Sequence, residues 1–169
     1  MTAMRVFSTP LGRMAVAASD KGLVRVLLPG EVAAATQACG GPVAERHAAK
    51  ANREILEYLR GRRRKFTVPV DLSDAPPFHA KVLRSACAIP YGGTLTYGQL
   101  AARASSPRAA RAVGQAMATN PVPLVVPCHR VVAAGGLGGY GGGLDLKRRL
   151  LDLEGGHRAA GLRRSHKLK

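Results

Sequence analysis

At 169 residues the chain can hold one good-sized domain or two small ones, and it can bury a real core. It carries 26 Lys+Arg against 10 Asp+Glu, a formal net charge of +16. There is no apolar run long enough to span a membrane, residues 1–15 lack a signal-peptide core, and Cys39, Cys87 and Cys128 make neither a disulfide framework nor a CxxC metal pair. A cytoplasmic protein with no metal and no cofactor is expected. The charge is uneven: residues 1–75 hold 12 basic and 7 acidic side chains, and residues 76–169 hold 14 and 3, a net of +11. An arginine-rich composition explains Arg over Lys but not the shortage of acids in the second half. A polyanion is the natural partner, and nucleic acid is the commonest one.

In chain order, Met4 to Ser8, Arg13 to Ala18 and Gly22 to Leu28 read as short strands with turn residues between them, and the Asp20-Lys21-Gly22 turn predicts a hairpin. Residues 30–44 are rich in Ala and Gly and predict nothing definite. Glu45 to Leu59 has helical spacing, with Ile55, Leu56 and Leu59 as the inward face and Gly61 as a C-cap. Arg62-Arg63-Arg64-Lys65 is a charge run, read as a solvated turn that adds to a basic surface. Phe66 to Val70 alternates as a strand does. Asp71 to Pro77 has the composition of a linker and sets the expected boundary between a domain at 1–75 and a second at 76–156. Phe78 to Ile89 is amphipathic, with Cys87 packed within it.

Thr96-Tyr97-Gly98-Gln99 fits a capping box, with Thr96 at N-cap, and opens a helix to about Ala104. Ser106-Pro107 predicts an N-cap and a first-turn proline for a second helix, from Pro107 to about Ala118. Two short capped helices joined by a tight turn make a helix-turn-helix. The second helix presents Ala110, Ala112 and Gly114 with Arg108 and Arg111 among them. Small side chains let a backbone approach a partner; together with the arginines they favour a DNA groove over core packing alone. Gly135 to Gly143 is a glycine-rich loop carrying Tyr140, suited to a pocket wall. Leu144 to Glu154 is a helix stopped by Gly155-Gly156, and 157–169 is a basic tail expected to be mobile.

One stretch, Asn120 to Val132, carries chemistry. Pro121, Pro123 and Pro127 bias the residues before them toward extended backbone, so no helix is expected there. Leu124, Val125 and Val126 should be buried. Cys128 follows, with His129 and Arg130 directly behind it. Positive charge beside a thiol favours the thiolate, which is what a nucleophilic cysteine needs. A bare Cys-His pair is more often a small buried thiol beside a satisfied core histidine.

The wider context changes that balance. Pro127-Cys128-His129-Arg130-Val131-Val132, preceded by Asn120-Pro121-Val122-Pro123, resembles the active-site signature of the O6-alkylguanine-DNA alkyltransferase family. Further pieces match in the family's order: Ile89-Pro90-Tyr91-Gly92, Thr96-Tyr97-Gly98-Gln99-Leu100-Ala101, Ala109-Ala110-Arg111-Ala112-Val113-Gly114, Tyr140, and Leu150-Leu151 through Glu154. The resemblance covers residues 78–156 well and 1–77 loosely. It implies an α+β protein: an N-terminal ribonuclease-H-like small sheet with a helix, then a mainly helical, winged-helix-like domain with the helix-turn-helix.

The resemblance also implies roles. Cys128 attacks the alkyl carbon on guanine O6 as a thiolate, and O4 of thymine is the expected second target. His129 takes its proton through a water, and Glu154 orients that imidazole. Tyr97 donates to the flipped base, and Asn120 braces the turn ahead of the cysteine. Val131, Tyr140, Gly141 and Pro123 form the substrate pocket. Arg111 fills the gap left by the flipped base, with Arg108, Ala110, Gly114 and Thr96 on the DNA side. The implied partner is double-stranded DNA containing O6-alkylguanine, bound by a monomer, with cooperative assembly on DNA left open. Leu83, His79 and Gly141 depart from residues common in the family, and Gly141 leaves selectivity for larger alkyl groups open. Three other readings compete. A non-catalytic relative that binds alkylated DNA lacks the cysteine. A cysteine hydrolase does not call for a basic helix-turn-helix. A plain transcription factor leaves Cys-His-Arg unexplained.

Overall fold

The computed structural model describes residues 1–32, 35 and 37–155; the expected basic tail at 157–169 lies outside them. The protein is a mixed α+β chain that divides into two compact units. One is Met1–Ala80 with Asn120–Val126, and the other is Lys81–Thr119 with the described chain from Pro127 on.

The first unit is built on a meander of β1 (Ala3–Thr9), β2 (Gly12–Ser19) and β3 (Gly22–Leu27), antiparallel in the order β1-β2-β3. Both connections are the turns that the sequence punctuates. Gly22 has a reason beyond its turn: at φ +149°, an added Cβ would lie 2.5 Å from the Pro69 carbonyl oxygen. In the central strand β2, Met14 to Ala18 are all buried, which explains why it reads as a continuous apolar run rather than an alternation.

Helix α1 (Pro42–Leu59) packs on this sheet and starts three residues earlier than expected, with Pro42 in its first turn. Its inward stripe is also rotated from the expected one. Ala44, Ala48, Ala51, Ile55 and Tyr58 are buried, while Leu56 and Leu59 are only half-buried. Alanines on both surfaces let helix and sheet approach closely. The expected strand at Phe66–Val70 does not form; only Val70 makes a bridge, to Leu23. The reason is Glu54, fully buried on α1, whose carboxylate accepts hydrogen bonds from the Thr67 and Val68 amides and the Thr67 hydroxyl. Those amides cannot also join a ladder.

The stretch Asn120–Val126 belongs to this first unit and is anchored by the Val26 amide, which donates to the Pro121 carbonyl at 2.8 Å. Leu124 has φ +73°, a conformation costing a non-glycine residue roughly 1–2 kcal/mol, and it is fully buried. The Asn120 side chain spans the turn: Nδ2 donates to the Val126 carbonyl and Oδ1 accepts from the Val122 amide, each at 3.0 Å. Asn120→Ala should therefore lower stability by about 1–3 kcal/mol, since both backbone groups lose a partner. Chemical denaturation of the two proteins checks this.

The second unit holds α2 (Pro77–Ala86, which begins in the first), β4 (Leu95–Thr96), α3 (Tyr97–Arg103), α4 (Ala110–Ala118), β5 (Val131–Val132) and α5 (Leu144–Glu154). Cys87, expected to be packed, follows α2 and is exposed. Strands β4 and β5 pair in parallel. The capping box on α3 is present: the Gln99 amide donates to Thr96 Oγ1 at 3.1 Å, and the Thr96 amide donates to Gln99 Oε1 at 2.9 Å.

Helix α4 begins at Ala110, not Pro107, and has no side-chain cap. Ser106 and Pro107 instead start a turn that the Ala109 amide closes on the Ser106 carbonyl at 2.9 Å. Serine at the first and proline at the second position suit a β-turn as well as a helix start. Arg108 thus lies in that turn, and Arg111 in the first turn of α4. No described helix is long and apolar enough to cross a membrane.

Candidate active site

Cys128 to Arg130 form a single 3-10 turn between Pro127 and β5, closed by the Arg130 amide on the Pro127 carbonyl at 3.0 Å. The prolines exclude an α-helix here, but the chain tightens rather than staying extended. Cys128 is 6% exposed and His129 fully buried.

His129 Nε2 lies 2.7 Å from Glu154 Oε2, at the end of α5. The same carboxylate accepts from Arg130 Nε at 2.7 Å and from Arg130 NH2 at 3.1 Å, and the Gly92 amide lies 3.4 Å from it. Arg130 NH1 donates to the Ile89 carbonyl at 2.7 Å. Burial opposes ionisation of Glu154. The hydrogen bonds from His129 and Arg130, with the charge of Arg130, outweigh it and hold the carboxyl down at about 2. Burial also pushes the His129 imidazole below its usual pKa, against the raising effect of Glu154. The result is a neutral imidazole. Its Nε2–H donates to Glu154, so Nδ1 carries the lone pair that accepts a proton.

Lys147 is a further buried charge in this unit. It is fully buried on α5, and Nζ donates to the carbonyls of Val131 at 2.7 Å and Gly139 at 2.9 Å. It also sits 6.0 Å from the centre of the Tyr97 ring. Burial pushes its pKa down to about 8, and the charge of Cys128 acts in the opposite direction. At neutral pH it remains mostly an ammonium. Tyr97 is shifted the other way: burial and the Cys128 charge raise its pKa, although a hydrogen bond with the Gly139 backbone lowers it. A phenol kept protonated at neutral pH is a competent hydrogen-bond donor.

The helix-turn-helix faces outward with Arg108, Arg111 and Gln115 exposed, and with Ala110 and Gly114 half-buried between them. Val113, Ala116 and Met117 face inward. Among the described residues no cluster of three His, Cys, Asp or Glu side chains is placed to hold a metal ion.

Residues 77–156 match the family model of the 6-O-methylguanine DNA methyltransferase DNA-binding domain, and residues 3–72 match that of its ribonuclease-like domain. A methylated-DNA–protein-cysteine methyltransferase of Mycolicibacterium paratuberculosis is 38% identical over 163 residues, covering 96% of this chain and 98% of that protein. The chain belongs to the methylated-DNA–protein-cysteine methyltransferase family. An inducible member from Bacillus subtilis is 48% identical over 102 residues, 60% of this chain but only 56% of that protein. The crystal structure of Mycobacterium tuberculosis OGT in complex with DNA superposes with a TM-score of 0.78 at 34% identity, covering 89% of this chain and 91% of that one. The family carries out DNA repair by alkyl transfer to a protein cysteine, and DNA is its partner.

Among the residues singled out from the sequence of this methyltransferase, Cys128, His129, Val131, Glu154 and Tyr97 fall in one unit, with His129 and Glu154 in direct contact. Asn120 and Pro123 fall in the other unit. Tyr140 is half-buried and Gly141 exposed on the glycine-rich loop. The Arg130 guanidinium, next in sequence to the Cys128-His129 pair, donates to Glu154 and to the Ile89 carbonyl. Lys147 is a buried cation whose charge couples to Cys128, and the sequence reading missed it. A signal was there, since Lys147, Leu150, Leu151 and Glu154 share one helical stripe and all four are buried.

Gly138 was also missed. It has φ +70°, and an added Cβ would sit 2.7 Å from the Tyr97 hydroxyl and 3.2 Å from the Ala133 amide nitrogen. Gly138→Ala should displace Tyr97 and slow alkyl transfer by about tenfold or more, the scale expected when a positioned group moves. Single-turnover kinetics on an alkylated duplex check this.

Proposed function

We propose that this chain restores O6-alkylguanine in double-stranded DNA by moving the alkyl group onto Cys128, once per molecule. The observation that carries the proposal is the buried Cys128 directly followed by an imidazole held neutral and oriented by Glu154. The target oxygen lies within the base stack, so the nucleotide must first be extruded. The Cys128 thiol gives its proton to His129 through a water. The thiolate then attacks the alkyl carbon, forming the S–C bond as the C–O bond breaks. The bonding pair leaves on guanine, and a proton from Tyr97 lets the base depart neutral. Lys147 supplies positive charge that favours both the thiolate and the deprotonated Tyr97.

In the same proposal Val131, Tyr140 and Gly141 shape the pocket, Asn120 braces the turn ahead of Cys128 in sequence, and O4-alkylthymine is a second substrate. Thr96, Arg108, Ala110, Gly114 and Arg111 meet the duplex, bound by a monomer in the cytoplasm, a reducing compartment that keeps the thiol free. A thioether has no route back to thiol here, so product from excess alkylated duplex should stop at one equivalent per chain. Continued turnover would overturn the single-use reading.

Arg111 is proposed to occupy the vacated base position. Arg111→Ala should slow repair of duplex DNA about a hundredfold, but should harm reaction with free O6-benzylguanine far less, because extrusion costs a few kcal/mol only within a stack. Arg108→Ala, an ordinary phosphate contact, provides the comparison. Equal duplex losses for the two variants would remove the special role of Arg111.

A further inference from the structure

We propose that the first unit carries a DNA phosphate-binding surface of its own, made by Arg60, Arg62 and Lys65 where α1 ends. These residues lie outside the segment matching the DNA-binding domain, at 77–156. Helix α1 stops at Leu59, and Arg60 caps it with its amide on the Leu56 and Tyr58 carbonyls. The Arg62 amide then donates to the Glu57 carbonyl at 2.8 Å.

The run is not uniform. Arg63 folds inward: Nε donates to Glu57 at 2.7 Å, NH1 donates to the Lys65 carbonyl at 3.0 Å, and Glu54 lies 3.6 Å away. One arginine therefore fixes the loop, while Arg60, Arg62 and Lys65 remain exposed. The two nearby carboxylates are already engaged, Glu54 by Thr67, Val68 and Arg63, and Glu57 by Arg63 and Arg53. From Tyr58 to Val70 the sequence holds no acidic residue. Arg60, Arg62 and Lys65 make no ion pair among the described residues.

The negative end of α1 accounts for Arg60, but that attraction fades within the last turn, and Arg62 and Lys65 lie beyond it. The helix-end hydrogen bonds and Arg63 together hold this loop's backbone from inside. A pinned loop loses less freedom on binding, and guanidinium groups suit phosphate oxygens. Duplex DNA is the polyanion that this family already meets.

The inference rests on DNA binding and not on alkyl transfer. Its test uses the full chain and an unmodified duplex, with affinity measured across a salt series. Arg60→Ala/Arg62→Ala/Lys65→Ala is compared with Arg13→Ala/Lys21→Ala/Arg25→Ala, which removes the same charge from exposed positions of the same unit. Each lost phosphate contact flattens log K against log salt by about 0.9, so the first triple should be shallower by about 1–3 and bind at least about tenfold more weakly at low salt. The control triple should keep the wild-type slope. An unchanged slope in the first triple, or equal changes in both, overturns the proposal while leaving the proposed function intact. A wild-type chain that fails to bind duplex overturns both.

Discussion

Cys128→Ser should abolish alkyl transfer, by at least about a thousandfold, while leaving affinity for duplex DNA within about twofold of wild type. Serine nearly preserves shape, and it stands in a 3-10 turn whose backbone closure does not use the side chain. What changes is the nucleophile: a hydroxyl is far harder to deprotonate than a thiol, and His129, held neutral by burial, is too weak a base to compensate. Retained binding is the informative half of the result, because the outward arginines of the helix-turn-helix are untouched. Serine protein that still clears the alkyl group from a labelled duplex would remove Cys128 from the reaction.

The second large effect lies at Glu154. Glu154→Gln should destabilise the protein by about 3–5 kcal/mol, the cost of leaving a buried arginine without its counter-charge. It should also slow transfer, because His129 loses the group that sets its tautomer. Replacing Arg130 in the same chain, as Glu154→Gln/Arg130→Met, should recover part of the stability, since the orphaned charge is then gone.

A pH arm separates this from general loss of packing. The folded-state pKa of Glu154 is held at about 2, below its ordinary value of 4.5. Its contribution to stability is therefore fully present above about pH 4.5, and is lost as pH falls toward 2. Glu54 and Asp71 are also shifted downward, so wild-type stability falls in acid for several reasons. The difference between wild type and Glu154→Gln isolates Glu154, and it should shrink steadily from pH 5 to pH 2. A difference that stays constant over that range would show that the charge on Glu154 is not what holds the cluster.

What could be read from the sequence depended on how local the physics was. The stretch Asn120 to Val132 is contiguous, so its prolines, its apolar run and its Cys-His-Arg step were legible together. The capping box on α3 and the α5 boundaries are also short-range devices. Ser106-Pro107 was ambiguous because the same pair opens a turn or a helix, and only packing of Val113, Ala116 and Met117 fixes where α4 starts. Phe66–Val70 had the pattern of a strand, but its amides go to Glu54, a partner 13 and 14 residues away that no local pattern reports. The inward face of α1 was set by Ala44, Ala48 and Ala51, whose small size hides them from a reading keyed to large apolar residues. Lys147 was overlooked because a lysine is read as surface unless its stripe is traced, and Gly138 because its role is space kept empty for Tyr97.

The most direct measurement is mass spectrometry of the intact chain after incubation with a duplex carrying a single O6-methylguanine, followed by peptide mapping. One added methyl group per chain is expected, on Cys128 and on neither Cys39 nor Cys87, with unmodified guanine restored in the duplex. An unmodified chain beside repaired DNA, or a methyl group on any residue other than Cys128, would contradict this expectation.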